Sequence, residues 1–505
     1  MRTEAGPVRA PRLGAVALVA LAALFTIALR IPYLDRPLVP DEAGLLIIAQ
    51  NWSEGPYLYG DYFVGRGIVL VLFYALADAL GGELALRLLA ALVAASMVAA
   101  AGWAGHQLRG RSGAGWATLV AASYSSTYAF SSEGMNGRLL GAAFVMVSCG
   151  LTIAAVRHGG ALRWAVPAGV FATLPVLVVQ SYIDGWVFAG VVLVASVLTR
   201  RLDVADAVRA ALGGLLGLAL TAGVLLAGIA ATWLTLEQLW FQLVGYRFAA
   251  SLAVVESTDA PAERFVMLMV IASYTGVLLL LTGHLASWRR VRTVRDLLPV
   301  WFAVLGMVAL SVMSMVAGGD WWPDYLLQLI PALVLAAAVT GPAVGAVAWS
   351  TYLVRTAACV AAVAAVWWQY LGIAEPVLGT PDNEAAVGEW IAGAADPDDD
   401  ATVIWGKANV LHAAEMTSPY PFLWSLVVRT LDGDLEQAVE LLSGDDAPTW
   451  LVVWHDTDAW GLDTGGDLAA VVEEHYEPVG APCGVDVLLL RGAEREVLPE
   501  DACAY

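Results

Sequence analysis

Apolar runs near the length of a membrane-spanning helix recur from residue 13 to residue 371. A span needs about 20 predominantly apolar residues. The runs lie near residues 13–29, 86–106, 114–131, 139–156, 164–182, 185–199, 211–233, 265–287, 297–317, 325–345 and 356–371, which predicts eleven spans. The first run follows Arg2, Arg9 and Arg12 and lacks a small-residue cleavage site, so it reads as a retained signal anchor. Residues 68–80, IVLVLFYALADAL, are apolar but only thirteen long, a length that suits a helix lying at the interface. Beyond residue 371 the pattern changes. Helical periodicity near 383–394, 434–443 and 466–475 alternates with strand-like ATVIW, TWLVVW and DVLLL. The expected fold is mainly α: a polytopic membrane helix bundle over 1–371, followed by an extracytoplasmic α/β domain over 372–505. At 134 residues the second part can bury a core of its own.

Composition agrees with lipid as the main solvent. Of 505 residues 59% are apolar and 14% charged, against about a quarter charged in soluble proteins, and the mean hydropathy is +0.70. Recurring runs exclude a soluble enzyme on one anchor, and a net charge of −20 excludes a nucleic-acid binder. That charge is unevenly placed. Residues 1–371 carry 22 Arg and 19 acids, whereas 372–505 carry 4 basic and 27 acidic residues. Arginine placement sets orientation. With the N-terminus cytoplasmic, the inner side holds 15 of those 22 arginines, and the outer side seven with fifteen acids. An odd span count then puts the tail outside; reading 68–80 as a span would reverse this. The protein is thus expected to be a multi-pass cell-membrane protein in contact with membrane lipid. Cys149 and Cys359 sit in apolar runs as small hydrophobes. Cys483 and Cys503 would pair if the tail faces an oxidising compartment.

Polar chemistry concentrates in the outer loops. In RIPYLDRPLVPDEAGLLIIAQNWSEGPYLYGDYFVGRG, Pro40 precedes Asp41 and Glu42 at the start of an apolar run of helical length. Both carboxylates therefore fall on a first helical turn, where capping and the macrodipole favour acids; a purely capping role and a catalytic one both fit that placement. Downstream, Trp52, Tyr57, Tyr59, Tyr62 and Phe63 form an aromatic belt or, for one or two of them, a sugar platform. Arg66 stands between Gly65 and Gly67, which allow close backbone approach, and can grip a phosphate or simply snorkel. Glu133, Asn136 and Arg138 mark a turn between spans, with Gly134 and Gly137 supplying it. A later hairpin sets Asp320, Asp324 and Tyr325 at the same level. Asp398, Asp399 and Asp400 read as a solvated turn. Zinc, Walker, GxSxG and dinucleotide motifs are absent, so an activated substrate must arrive on a lipid.

The Arg-x-Pro after the first span, PDEA at a helix start, W-S-E-G-P-Y-L-Y-G-D and the late Y-L-L-Q-L-I-P-A-L together resemble the GT-C membrane glycosyltransferases. The specific likeness is to the family 39 protein mannosyltransferase and aminoarabinose transferase-like group. The resemblance implies a catalytic base at Asp41 with Glu42 beside it. It also implies donor-phosphate contacts from Arg66 and Arg138, and substrate contacts from Glu133, Asn136, Tyr59, Asp61 and Tyr325. The implied donor is a polyprenyl-phosphate-linked sugar and the acceptor a glycan, lipid or protein of the cell envelope. Two departures stand out. Arg66-Gly67-Ile68 replaces the group's Lys-Pro-Pro, and Asn136 stands at or beside a second family Asp, so a metal-bridged site loses a ligand. No cofactor is implied beyond a divalent metal. The WG in VIWGKANVLHAAEM and the late Y-E-P-V resemble the extra domain of some relatives. Two other classes compete: a non-catalytic lipid-binding scaffold, and a transporter, which calls for inverted repeats and midplane charge.

Overall fold

The computed structural model describes residues 14–255, 260–342, 348–370 and 381–496. The boundary expected at 371/372 lies outside them. Helices α1 (Ala15–Ala28), α2 (Pro40–Gln50), α3 (Ile68–Ala79), α4 (Glu83–Tyr124), α5 (Gly137–Arg157), α6 (Leu162–Thr173), α7 (Asp184–Leu198) and α8 (Val204–Ala230) form the first part of the bundle.

Among the described residues seven helices are long and apolar enough to cross a membrane, or eight if the pair Ala262–Tyr274 and Val277–Ala286, bent by 64°, is one span. The chain is thus a multi-pass membrane protein. The eleven runs map onto these helices as follows. The stretch Glu83–Tyr124 contains two runs, because Arg109 and Gly110 leave helical φ/ψ and the chain folds back. Gly105 and Gly113 then touch: a Cβ on Gly105 would lie 2.5 Å from the Gly113 carbonyl oxygen, where a straight helix would hold the two residues about 12 Å apart. The runs either side of Asp184 become Leu162–Leu177 and α7, both shorter than a standard span. α3 is also short, as expected of an interfacial helix.

Helix Ile330–Thr340 is apolar all round and every residue in it is buried, the mark of a helix at the centre of a bundle. α8 lies at the edge and packs on α6 through Gly213, Gly214 and Gly217. A Cβ on Gly217 would sit 2.2 Å from the Val166 carbonyl oxygen, so only glycine allows this approach.

The tail forms a four-stranded sheet of β1 (Ala401–Ile404), β2 (Trp450–Val453), β3 (Tyr476–Gly480) and β4 (Asp486–Leu490), in the order β1-β2-β4-β3. β1 and β2 are parallel and the other pairs antiparallel. β3 carries Pro478, tolerated because the strand is at an edge. The expected helices appear at Pro381–Ala392, Glu436–Ser443 and Asp467–His475. The sheet domain shares a continuous apolar cluster with the bundle: Leu38, Leu45 and Leu46 belong to the same buried group as Leu411, Met416 and Leu423. Phe63 N–H donates to the Pro421 carbonyl at 3.1 Å. The Tyr62 hydroxyl both donates to the Ser418 carbonyl and accepts from its N–H, each at 2.9 Å.

Candidate active site

α2 begins with Val39 extended and Pro40 in its first turn, so Asp41 and Glu42 share the helix head as expected. About 100° of helical rotation per residue then separates their surroundings. Glu42 is 1% exposed. Arg87 Nη1 lies 2.8 and 2.9 Å from its two oxygens, and Met135 N–H donates to Oε1 at 2.6 Å. A Cβ on Gly134 would come within 2.5 Å of that oxygen, which is why the turn needs glycine there. Arg87 also donates to the Arg36 and Pro37 carbonyls. Arg30, of the Arg-x-Pro, holds the carbonyls of Ser125, Ser132 and Glu133. Glu42 is thereby locked at the junction of the first loop, α4 and the 125–136 turn.

Asp41 faces outward, with its side chain 54% exposed. Arg66 Nη2 lies 3.3 Å from Oδ2, and Trp424 Nε1, from the sheet domain, donates to Oδ1 at 2.9 Å. Gly44 makes room for that indole, since a Cβ there would be 2.4 Å from Trp424 Cζ2. The glycines around Arg66 act as the sequence suggests: a Cβ on Gly65 would strike Tyr246, and one on Gly67 the Leu177 carbonyl.

Arg138 donates from Nε to Asp324 at 2.8 Å and stacks its guanidinium 3.8 Å over the Tyr325 ring. Between this cluster and Arg66 lies Arg247, which donates to the Gly65 carbonyl at 2.6 Å. Burial lowers the Arg247 pKa to about 10, and the like charge of Arg66, with a smaller share from Arg138, adds to the shift. Three guanidiniums thus gather where Asp41 and Asp324 are the paired acids, leaving one positive charge for an anion.

The remaining predicted residues have framing positions. Asn136 caps α5, accepting from Leu139 N–H at 2.9 Å and donating to the Ser131 carbonyl at 2.9 Å. Tyr59 is buried and donates to the Arg66 carbonyl, whereas Asp61 is exposed on the loop. Glu133 has a buried oxygen without a partner; burial pushes its carboxyl up to about 7, and Glu42 adds to the shift. Asp399 binds Arg495 and Trp450 Nε1, and Asp400 accepts from Thr449 N–H, a structural turn. Cys503 lies outside the described residues. Among the described residues no group of three or more His, Cys, Asp or Glu is placed to hold a metal, and an arginine and an indole N–H at Asp41 do not fit a divalent cation. Sequence reasoning missed Trp424, Arg87, Arg247 and Arg30. The last three had a signal, being arginines in or beside the loops that the sequence marks as poor in arginine. Trp424 had none, because its contact with Asp41 exists only once the sheet domain has docked.

No protein-family model and no curated protein matches the chain. Solved structures do. ArnT from Cupriavidus metallidurans in the apo state aligns with a TM-score of 0.59 at 15% identity, over 94% of this chain and 98% of that one. The same protein bound to undecaprenyl phosphate gives 0.58 at 15%, over 94% and 97%. The oligosaccharyltransferase AglB from Archaeoglobus fulgidus, in complex with an inhibitory peptide and a dolichol-phosphate, gives 0.53 at 14%, over 95% and 74%. ArnT is an aminoarabinose transferase, and both proteins are GT-C glycosyltransferases. At this identity the likeness concerns architecture, and what it establishes is that the chain has the GT-C fold.

Proposed function

We propose that this protein transfers a monosaccharide from a polyprenyl-phosphate donor to a cell-envelope acceptor on the outer face of the membrane. The observation that carries the reading is the exposed Asp41 carboxylate at the head of α2, next to an excess of guanidinium charge from Arg66, Arg138 and Arg247. Similar folds bind undecaprenyl phosphate and dolichol-phosphate, which supports a lipid-phosphate leaving group here. In the proposed step the acceptor oxygen attacks the anomeric carbon, the bond from that carbon to the phosphate oxygen breaks, and Asp41 takes the acceptor proton. The result is a single displacement with inversion. Base assistance of this kind contributes about 10²–10⁴-fold, and the arginines stabilise charge gathering on the departing phosphate. Glu42 acts as a positioning residue, since both its oxygens are already engaged. Trp424 and Arg66 aim Asp41. The topology that fits has a cytoplasmic N-terminus and an extracytoplasmic tail.

The test is release of polyprenyl phosphate from radiolabelled polyprenyl-phosphate monosaccharides by the purified protein with envelope extract as acceptor. Wild type is expected to turn over and Asp41→Asn to lose at least about 10²-fold while eluting as a folded monodisperse protein. An Asp41→Asn variant with full activity overturns the assignment of the base. Saturable binding of the lipid without turnover supports the scaffold reading instead.

A further inference from the structure

A cavity lies at the end of the bundle opposite the candidate active site. α5 has its N-cap, Asn136, in the turn that holds Glu42, and it runs 21 residues to Arg157, about 30 Å away. There the fold-back of α4 at Arg109–Gly110, the last turn of α5 and the first turn of α6 border an open cavity of about 590 Å³. Its side-chain walls are Trp103, His106, Gln107, Arg157, His158 and Trp164, and no carboxylate contributes to them.

The chemistry of the walls is that of an anion site with an apolar rim. Arg157 spends one N–H on the Gln107 carbonyl, and the rest of its guanidinium remains available. Neither imidazole takes part in a hydrogen bond or ion pair among the described residues, and His158 stacks on Trp164 with ring centroids 6.1 Å apart. Trp164 Nε1 is a buried N–H donor with no acceptor. The Arg163 guanidinium lies 5.6 Å from the same indole. Asp206, which packs against Gly159 and Gly160 just beyond the walls, is already paired with Arg209 at 2.8 Å. Trp103, a wall residue, is exposed and forms an apolar rim, and Leu162, two residues before Trp164, is exposed as well, so a ligand seated here continues onto the apolar outer surface of the bundle. A soluble anion would make no use of that rim, whereas an amphiphile would.

We propose that this cavity binds the phosphate diester headgroup of an anionic phospholipid. Basic pockets between helices at a membrane surface select such headgroups by charge, and their aromatic edges sit at headgroup level. The proposal is independent of the role of Asp41, because no residue of the outer site lines this cavity.

Native mass spectrometry of the full-length protein in non-ionic detergent tests it. The probes are phosphatidylglycerol, phosphatidylcholine with the same acyl chains, and glycerol 3-phosphate. Wild type is expected to retain phosphatidylglycerol about tenfold better than phosphatidylcholine. A His106→Ala/His158→Ala double variant, which breaks no hydrogen bond, and Arg157→Gln should each reduce that preference. Arg292→Gln, an exposed arginine outside the cavity near the same end, should keep it. Equal retention of the two lipids overturns the proposal. So does an unchanged preference in the double variant, or an Arg292→Gln loss matching that of Arg157→Gln. Glycerol 3-phosphate binding as tightly as phosphatidylglycerol assigns the cavity to a soluble phosphate ester and overturns the lipid assignment.

Discussion

At the scale of single residues, Asp41 and Glu42 show how one peptide bond separates two roles. Glu42 is spent on Arg87 and a backbone amide, while Asp41 keeps half its surface in water. Glu133, beside Glu42, has a different consequence. Its carboxyl is pushed from its ordinary 4.5 to about 7, chiefly by burial, so the folded protein holds a proton there that the unfolded chain releases. The stability this gives is complete below about pH 4.5 and is lost as pH rises through about 7. Glu133→Gln, neutral at every pH, escapes that loss. Its melting temperature relative to wild type is expected to climb between pH 5 and pH 8, and a constant difference across that range would refute the shift. Gly44 supplies a prediction about the site itself. Gly44→Ala puts a methyl 2.4 Å from Trp424 Cζ2 and should displace the indole from Asp41. Trp424→Phe removes the N–H donor while keeping an aromatic body in the space. Both are expected to lower turnover, by roughly tenfold or more if Asp41 is held by this bond, with polyprenyl-phosphate binding retained. Unchanged turnover in both variants would show that the indole does not position the carboxylate.

At the scale of elements, the apolar pattern was enough to place the long apolar helices, because hydrophobic length is what a membrane selects, but it did not reveal the short helices Leu236–Trp240 and Tyr246–Val255. It also located α2 with its two acids, the short α3 and three of the four strands. β3 escaped because Tyr476–Gly480 holds a glutamate, a proline and a glycine, which are ordinary at a sheet edge and unreadable without it. The Asp41–Arg66 pair was partly legible, since glycines flank Arg66 and acids head a helix. The Arg87 and Arg247 contacts depend on which loops meet across the bundle, and local pattern carries no such information. Packing of α8 on α6 depends on glycine backbone contact rather than on hydropathy. Gly217→Val should force the helices apart, with a stability loss of about 1–3 kcal/mol. Gly223→Ala, where nothing lies within 4 Å, should stabilise by up to about 1 kcal/mol through helix propensity. Thermal unfolding of the two variants in one detergent checks both signs, and equal effects would mean that α8 is not held by the glycine contact.

At the scale of the whole molecule, a nearly neutral stretch, residues 1–371, is joined to residues 372–505, which carry 27 acids and 4 basic residues. Charge is nevertheless a minor part of how the two meet. Leu38 and Leu46 share one buried cluster with Leu411 and Met416, and the Tyr62 hydroxyl and the Phe63 N–H hydrogen-bond across the seam to the backbone of Ser418 and Pro421. The Glu83–His412 contact at 2.7 Å is an ionic candidate at the seam, and half of the glutamate side chain is in water, where such a pair contributes about 0–1 kcal/mol. Salt screens exposed charges and leaves apolar burial intact or strengthened. A protease site inserted within residues 372–380 and cut after purification therefore leaves the domain bound: both pieces are expected to co-elute at low and at high salt. If the donor-turnover assay reads activity, it should survive the cut, because Trp424 reaches Asp41 through the docked surface rather than through the linking chain. Loss of the acidic piece on cutting would mean that the covalent link holds the halves together and that Trp424 belongs to the site only by tether. Release only at high salt would instead make the seam ionic, and Glu83→Gln should then weaken it as much as any apolar substitution at Leu46.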